Sequence, residues 1–197
     1  MSDRGFCIAA GDNTLDLYRR LTEVRLPGVA EVVPADGSLL VVLAPGLPAS
    51  GGLLQQIKEL LDKPGAAIAA AAGQHRLAVR FDGEDLPEVA RRAGYAVDGL
   101  VDLLCSLTLQ VKFLGFQPGF AYLDGLPPPL HLPRRANPRK KVPAGSVALG
   151  GGYCGIYPSD GPGGWHLLGT TSIQLFDPAA APPARLQPGD TVRLVAA

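Results

Sequence analysis

The residues of this chain whose types and spacing suit chemistry on a small molecule lie between Gly115 and Thr170. The first group is "GFQPGFAYLDGL", where Gly115, Pro118 and Gly119 fix the backbone and Phe116, Phe120 and Tyr122 supply flat apolar surface. Composition alone favours a strand end and turn whose rings pack into the core over a turn that lines a pocket. The second group, "HLPRRANPRKKVP", gathers Arg134, Arg135, Arg139, Lys140 and Lys141, the one local cluster of a single charge sign. Guanidinium groups grip carboxylate or phosphate through two parallel hydrogen bonds. Pro133, Pro138 and Pro143 stiffen the segment and lower the entropy cost of binding. An anionic ligand or acidic partner is one reading; a solvated loop is the other. The third group, "IYPSDGPGGWHLLGTT", surrounds the only tryptophan, Trp165, with Pro158, Gly161, Pro162, Gly163, Gly164 and Gly169. Such a run either pins a core anchor or forms the wall of a binding site.

Other combinations fall short of a reaction. Gly150, Gly151 and Gly152 invite a phosphate-loop reading, but Tyr153, Cys154, Gly155 and Ile156 follow in place of Gly-Lys-Ser/Thr and a helix. Cys154 has no nearby histidine and reads as a small buried thiol. Ser146 and His166 form no nucleophile–base spacing, and Asp124 and Asp160 stand alone in sequence.

The bulk properties narrow the setting. The 197 residues are 47% hydrophobic and 18% charged, enough to bury a core in one large domain or two small ones. Lysine plus arginine equals aspartate plus glutamate, 18 of each, so bulk charge gives no argument for nucleic acid or membrane. No apolar run reaches membrane-span length, and "MSDRGFCIAAGDNT" lacks the apolar stretch of a signal peptide. Cys7, Cys105 and Cys154 are odd in number and far apart, which suits a reducing cytoplasm. They lack zinc spacing, and no metal site is expected.

Two elements of organisation must position these groups. Residues 1–74 read as strand, helix, strand, strand, helix. Asn13 caps "TLDLYRRLTEV", a hairpin turns at Ala35-Asp36-Gly37, and a second helix carries Leu53, Leu54, Ile57, Leu60 and Leu61 up to a stop at Pro64-Gly65. That order resembles a ferredoxin-type split βαβ sandwich. The alanine-rich stretch 66–74 reads as a linker. Residues 75–197 open with the strand "HRLAVRF" and two short helices, the first with Asp85 as N-cap, Glu88 three residues on, Pro87 in its first turn and Gly94 as its stop. "LQVKFLGF" then alternates Leu109, Val111 and Phe113 against Gln110 and Lys112, as a half-buried strand does. Among the 56 residues from Gly115 to Thr170 stand 12 glycines and 9 prolines, a density that favours short strands joined by shaped turns, as in a barrel. "LQPGDTVRLV" supplies a closing strand.

"GFQPGFAYLDGL", "LPRRANPRKKVPAGSVAL", "GIYPSDGPGGWHLLGTT" and "LQPGDTVRL", in that order, resemble the family of 5-oxoprolinase B subunits, also called KipI-like or allophanate hydrolase subunit 1. The resemblance implies an α+β chain with a ferredoxin-like N-terminal domain and a cyclophilin-like β-barrel domain. It implies a C-type barrel subunit as partner, and an A-type subunit with them, forming an ATP- and magnesium-dependent enzyme that opens a small cyclic amide, 5-oxoproline. Two relatives of the family widen the choice: a regulator that inhibits a histidine kinase, and a carboxyltransferase-type subunit. The implied substrate-cleft candidates are Gln117, Pro118 and Phe120 from the first motif, Arg134 and Arg139 from the second, Ser146, and Tyr157, Trp165 and His166 from the third; no catalytic group is assigned. The chain departs from the family pattern at Cys105 and Leu109 (commonly His and Tyr), at Tyr153 and Cys154 (commonly Gln-Thr), and at Thr170 to Ser172 (commonly Arg-Thr-Pro). Its N-terminus reads as shorter than the family's.

Overall fold

The computed structural model describes residues 4–47, 50–62 and 72–197. The chain divides into two compact units, Met1–Ala72 and Gly73–Ala197. The Pro64-Gly65 stop and most of the alanine-rich stretch lie outside the described residues.

In the first unit, β1 (Gly5–Ala9), α1 (Thr14–Val24), β2 (Val29–Ala35), β3 (Ser38–Leu43) and α2 (Gly51–Asp62) follow in that order. The three strands form an antiparallel sheet ordered β1-β3-β2 among the described residues. β2 and β3 meet at Ala35 and Ser38 around Gly37, whose φ of 67° lies in the left-handed region that a tight hairpin turn requires. Leu17 and Leu21 of α1 and Leu53 and Ile57 of α2 pack onto Leu39, Val41 and Leu43. Asn13 does occupy the N-cap of α1, but its side chain makes no capping bond; a short 3₁₀ turn at Gly11–Asn13 precedes the helix, and the Thr14 hydroxyl donates back to the Gly11 carbonyl instead. The apolar stripe expected on α2 is narrower than its sequence: Leu54 and Leu61 are exposed.

The second unit is a sheet wrapped on itself. It comprises β4 (Gln74–Val79), α3 (Leu86–Ala93), α4 (Val97–Ser106), β5 (Leu109–Leu114), β6 (Ala121–Asp124), β7 (Arg139–Val142), β8 (Ser146–Gly150), β9 (Tyr153–Ile156), β10 (Gly161–Gly163), β11 (His166–Thr170) and β12 (Thr191–Ala196). Seven strands run in the order β11-β8-β9-β6-β5-β12-β4, and β7 and β10 pair separately. The two outer strands meet where Arg80 and Thr170 exchange backbone hydrogen bonds of 2.9 and 2.8 Å, so the sheet is nearly closed. The expected alternation holds in the first half of β5, where Leu109 and Val111 are buried against Leu123, Val147 and Leu194 in one core, and breaks at Phe113, which is half-buried beyond a register shift. Every short strand needs a sharp turn, which accounts for the glycine and proline density read from sequence.

The seam continues past β4 along the residues that lead into α3. Gly83 and Asp85 donate backbone N–H groups to the carbonyls of Leu168 and Leu167. Asp85 sits at the N-cap as expected, yet its side chain does not cap. It is buried, and it accepts from Arg135 Nη1 at 2.6 Å, from Arg139 Nη2 at 2.8 and 2.9 Å, and from the Leu167 backbone N–H at 2.7 Å. Glu88 is likewise not part of a capping box; Arg91 and Arg92 hydrogen-bond it and hold its carboxyl down at about 2. Through these four contacts the Asp85 carboxylate joins α3, the arginine-rich segment and β11, while Arg135 Nε stays buried without a partner among the described residues. Asp85→Asn strands two arginines beside a neutral amide, and removing one partner of a buried ion pair costs about 3–5 kcal/mol. Denaturant unfolding of the variant is expected to show a loss of that size, whereas the exposed Arg80→Ala change, which removes a surface pair with Asp82, is expected to cost under about 1 kcal/mol.

Candidate functional site

Beside the barrel core lies a second layer built around aromatic rings. Phe120, Tyr157 and Trp165 are buried in it, with Val142, Ala148 and Leu167, and Tyr122 and Tyr153 pack at its margin. Trp165 meets Phe120 and Tyr122 edge-on, with centroids 5.4 and 5.6 Å away. Phe120 in turn meets Tyr157 at 5.4 Å, and Phe113 stacks on Tyr122 at 4.3 Å. Offset and edge-to-face contacts of this kind are the favoured geometries of aromatic pairs.

The glycines around the layer are there for space. A Cβ on Gly150 would sit 2.6 Å from the Trp165 indole, and one on Gly155 would sit 2.8 Å from Phe120 and 3.0 Å from Trp165. A Cβ on Gly163 would collide with the Tyr157 hydroxyl. Trp165 is thus a core anchor of the aromatic layer, 6% exposed, and Gly150 of β8 and Gly155 of β9 let backbone pass at ring-thickness distance. Burial raises the Tyr157 phenol above its ordinary range, while the Trp165 backbone N–H, which donates to it, acts in the opposite direction. The Tyr122 phenol is also raised by burial and drawn down by the charge of Arg134.

One edge of the layer opens outward at the turn between β5 and β6. Phe116 stands there 58% exposed. Its ring lies edge-on to Phe120 at 5.4 Å and to Tyr157 at 6.1 Å. Its φ of 70° is in the left-handed region, uncommon for any residue with a side chain. Gln117 follows, with its side-chain Oε1 sealed from solvent and accepting no hydrogen bond from any described residue. Pro118 is exposed at the same turn. Sequence reasoning placed Phe116 with the core rings; no pattern in the primary structure signals its left-handed backbone.

The positive segment resolves into separate jobs. Arg139 donates to Glu84 at 2.5 Å, to Asp85 and, at 3.3 Å, to the Trp165 carbonyl, so it ties the aromatic layer to α3 and does not stand free for a ligand. Lys141 pairs with Asp160 at 2.8 Å, and the pair holds the Asp160 carboxyl below its usual range. Asp124 pairs with Lys112 at 3.0 Å. Arg134 is exposed, makes no ion pair among the described residues, and its field reaches the Tyr122 and Tyr157 phenols. Of the two arginines expected to face a ligand, Arg134 is therefore the one placed to do so.

The remaining candidates are occupied elsewhere. The Ser146 hydroxyl donates to the Pro143 carbonyl at 2.8 Å, and the His166 ring donates from Nε2 to the Pro133 carbonyl at 2.9 Å; both residues are buried. Gln117, Phe120, Arg134, Tyr157 and Trp165 are thus brought to one region, with Phe116 added. Leu109, at a place where the family commonly has tyrosine, is fully buried in the barrel core, and Thr170 forms the seam. No group of three or more His, Cys, Asp or Glu side chains among the described residues is arranged to hold a metal ion. None of their helices is long and apolar enough to cross a membrane.

Cys154 is completely buried, and burial pushes its thiol up to about 12. The thiolate is the reactive form, so reactivity rises only as pH approaches that raised value. At pH 8 iodoacetamide is expected to label the exposed Cys7 and to leave Cys154 unmodified until the chain is unfolded, as peptide mass spectrometry would show.

Comparison with known proteins places this geometry. Residues 4–186 match the family described as carboxyltransferase domain, subdomains C and D. The 5-oxoprolinase B subunit of Escherichia coli O157:H7 is 41% identical over 182 residues, which span 91% of this chain and 82% of that protein. Among solved structures, TTHA0988 superposes with a TM-score of 0.82 at 39% identity; the match covers 98% of this chain but only 40% of that one. The urea amidolyase of K. lactis shares the fold, with a TM-score of 0.73 at 18% identity over 99% of this chain and 14% of its own. The chain belongs to the family of 5-oxoprolinase B subunits, which carries the carboxyltransferase subdomain C and D architecture.

Proposed function

We propose that this chain is one subunit of an ATP-dependent 5-oxoprolinase that opens the lactam ring of 5-oxoproline to glutamate. The observation that carries the reading is the 41% identity to a 5-oxoprolinase B subunit over 82% of that protein's length. The site's chemistry supports a shared role. Ser146 and His166 are each spent on a backbone carbonyl, and the Cys154 thiol is buried. The region built around Phe116, Gln117 and Arg134 suits binding and orienting a small anionic ring; bond-breaking groups are to come from the assembled complex. The partners in this proposal are a C-type barrel subunit and an A-type subunit. We also read the first unit as ferredoxin-like, from its strand, helix, strand, strand, helix order, and the second as cyclophilin-like, from its nearly closed sheet.

An unstrained lactam resists hydrolysis, and phosphorylation of its oxygen activates it. Transfer of the γ-phosphoryl group to that oxygen releases ADP. One water then adds to the ring carbon and the C–N bond breaks to free the amine, leaving an acyl phosphate; a second water hydrolyses it to phosphate and the side-chain carboxylate of glutamate. The Gly150–Gly152 turn is not a phosphate loop: Gly150 ends β8, and Gly151 and Gly152 turn directly into β9 at Tyr153, with no lysine, Ser/Thr or helix behind them. No step is therefore routed through ATP on this chain, and ATP and magnesium belong in this proposal to the complex.

Reconstitution with the A-type and C-type subunits is expected to yield equal amounts of ADP and glutamate from 5-oxoproline, with no turnover when this chain is left out. A well-formed complex without turnover would refute the reading. Recovery of a histidine kinase, and no barrel partner, in a pull-down would favour the regulatory role instead.

A further inference from the structure

We infer that the Phe116–Gln117 turn reads the substrate's lactam N–H, with Arg134 taking its carboxylate. The inference rests on the 5-oxoprolinase reading above and names the contacts that the same site would make. Three unfavourable features meet in two consecutive residues. Phe116 holds a left-handed φ of 70°, its ring is 58% exposed, and the Oε1 of Gln117 is buried without a partner. Strained backbone and an unsatisfied buried acceptor each cost free energy and persist where something else uses them.

The turn is also built and not merely loose. Gly115 and Phe120 close it with a backbone hydrogen bond of 3.1 Å, and Phe120 donates to the Gln117 carbonyl at 2.9 Å. Gly161 of β10 leaves room for the Gln117 amide, because a Cβ there would strike its Nε2. With the nitrogen end set against β10, the oxygen end is left as an acceptor that only a donor brought from outside the described residues can satisfy. Two residues further along the same strand, Gly163 abuts the Tyr157 hydroxyl, and Arg134 is held beside this stretch by its neighbours, since the Arg135 N–H donates to the Gly164 carbonyl at 2.7 Å and the His166 ring to the Pro133 carbonyl at 2.9 Å. Acceptor, exposed ring and cation thus lie along one edge of the aromatic layer.

The ligand that fits is a small, nearly planar cyclic amide with one N–H and a carboxylate on the adjacent carbon. Binding draws the sealed Gln117 Oε1 out to accept from the N–H, the ring face rests on Phe116, and the carboxylate meets Arg134, an acid–guanidinium contact stronger than a neutral hydrogen bond. 5-Oxoproline has each of these parts.

The test uses the reconstituted complex, with N-methyl-5-oxoproline and 5-oxoprolinamide as competitive inhibitors. Wild type is expected to bind the N-methyl compound roughly tenfold more weakly than 5-oxoproline. Gln117→Met, which keeps the length but removes the acceptor, is expected to raise the KM for 5-oxoproline by a similar factor and to lose the discrimination. Gln117→Glu, which keeps an acceptor, retains it. Arg134→Ala is expected to abolish the preference for the acid over the amide. Indifference of the wild-type complex to N-methylation overturns the inference whatever the variants do, as does discrimination that survives Gln117→Met; turnover of 5-oxoproline in those cases leaves the parent reading standing. An assembled wild-type complex that does not turn over 5-oxoproline overturns both.

Discussion

The Asp85 carboxylate is the constraint on which the rest of the second unit depends. It lies buried at the start of α3 and receives two arginines and a backbone N–H of β11. A buried anion is tolerated only when it is paired and hydrogen-bonded, and here the partners are the segments that carry the site. Arg139 passes through the cluster to the Trp165 carbonyl, so the indole, the arginine-rich segment and the seam of the sheet are set by one charge. Because Asp85 engages Arg135 and Arg139, Arg134 is the guanidinium of the segment left to face outward.

The aromatic layer is a second core, distinct from the aliphatic one within the barrel. Its rings interlock through edge-on contacts, and its glycines admit backbone where any side chain would collide. A rigid floor of this type lets the Phe116–Gln117 turn hold an unfavourable conformation, since strain survives only where its surroundings over-determine it. The stable residues and the strained ones are therefore parts of one arrangement.

The elements of both units were legible from periodicity and turn chemistry. The alternation of Leu109, Val111 and Phe113 announced β5, and the glycine and proline density announced a barrel of short strands. Asp85 illustrates what local pattern misses. Asp-x-x-Glu before an apolar run reads as a helix cap, but the carboxylate's real partners lie about 50 to 80 residues away in sequence, where no spacing rule reaches. The charge cluster likewise showed that arginines were gathered without showing which of them an internal acid would consume. The exposure of Phe116 depends on a backbone angle, and its neighbours Gly115 and Pro118 mark a turn without specifying which residue turns left-handed. The four motifs located the site region, and tertiary partners sorted its members.

The place of β12 in the sheet bears on how the molecule is made. This strand runs parallel to β4 and antiparallel to β5, and it alone joins them. A ribosome delivers β4 long before β12, so both neighbours wait with unpaired edges through the synthesis of everything between. Loop closure over such a distance is slow, and open edges are sticky during the wait. Assembly of the barrel is thus a late event in the life of the nascent chain, completed only when its last strand slots between two of its earlier ones.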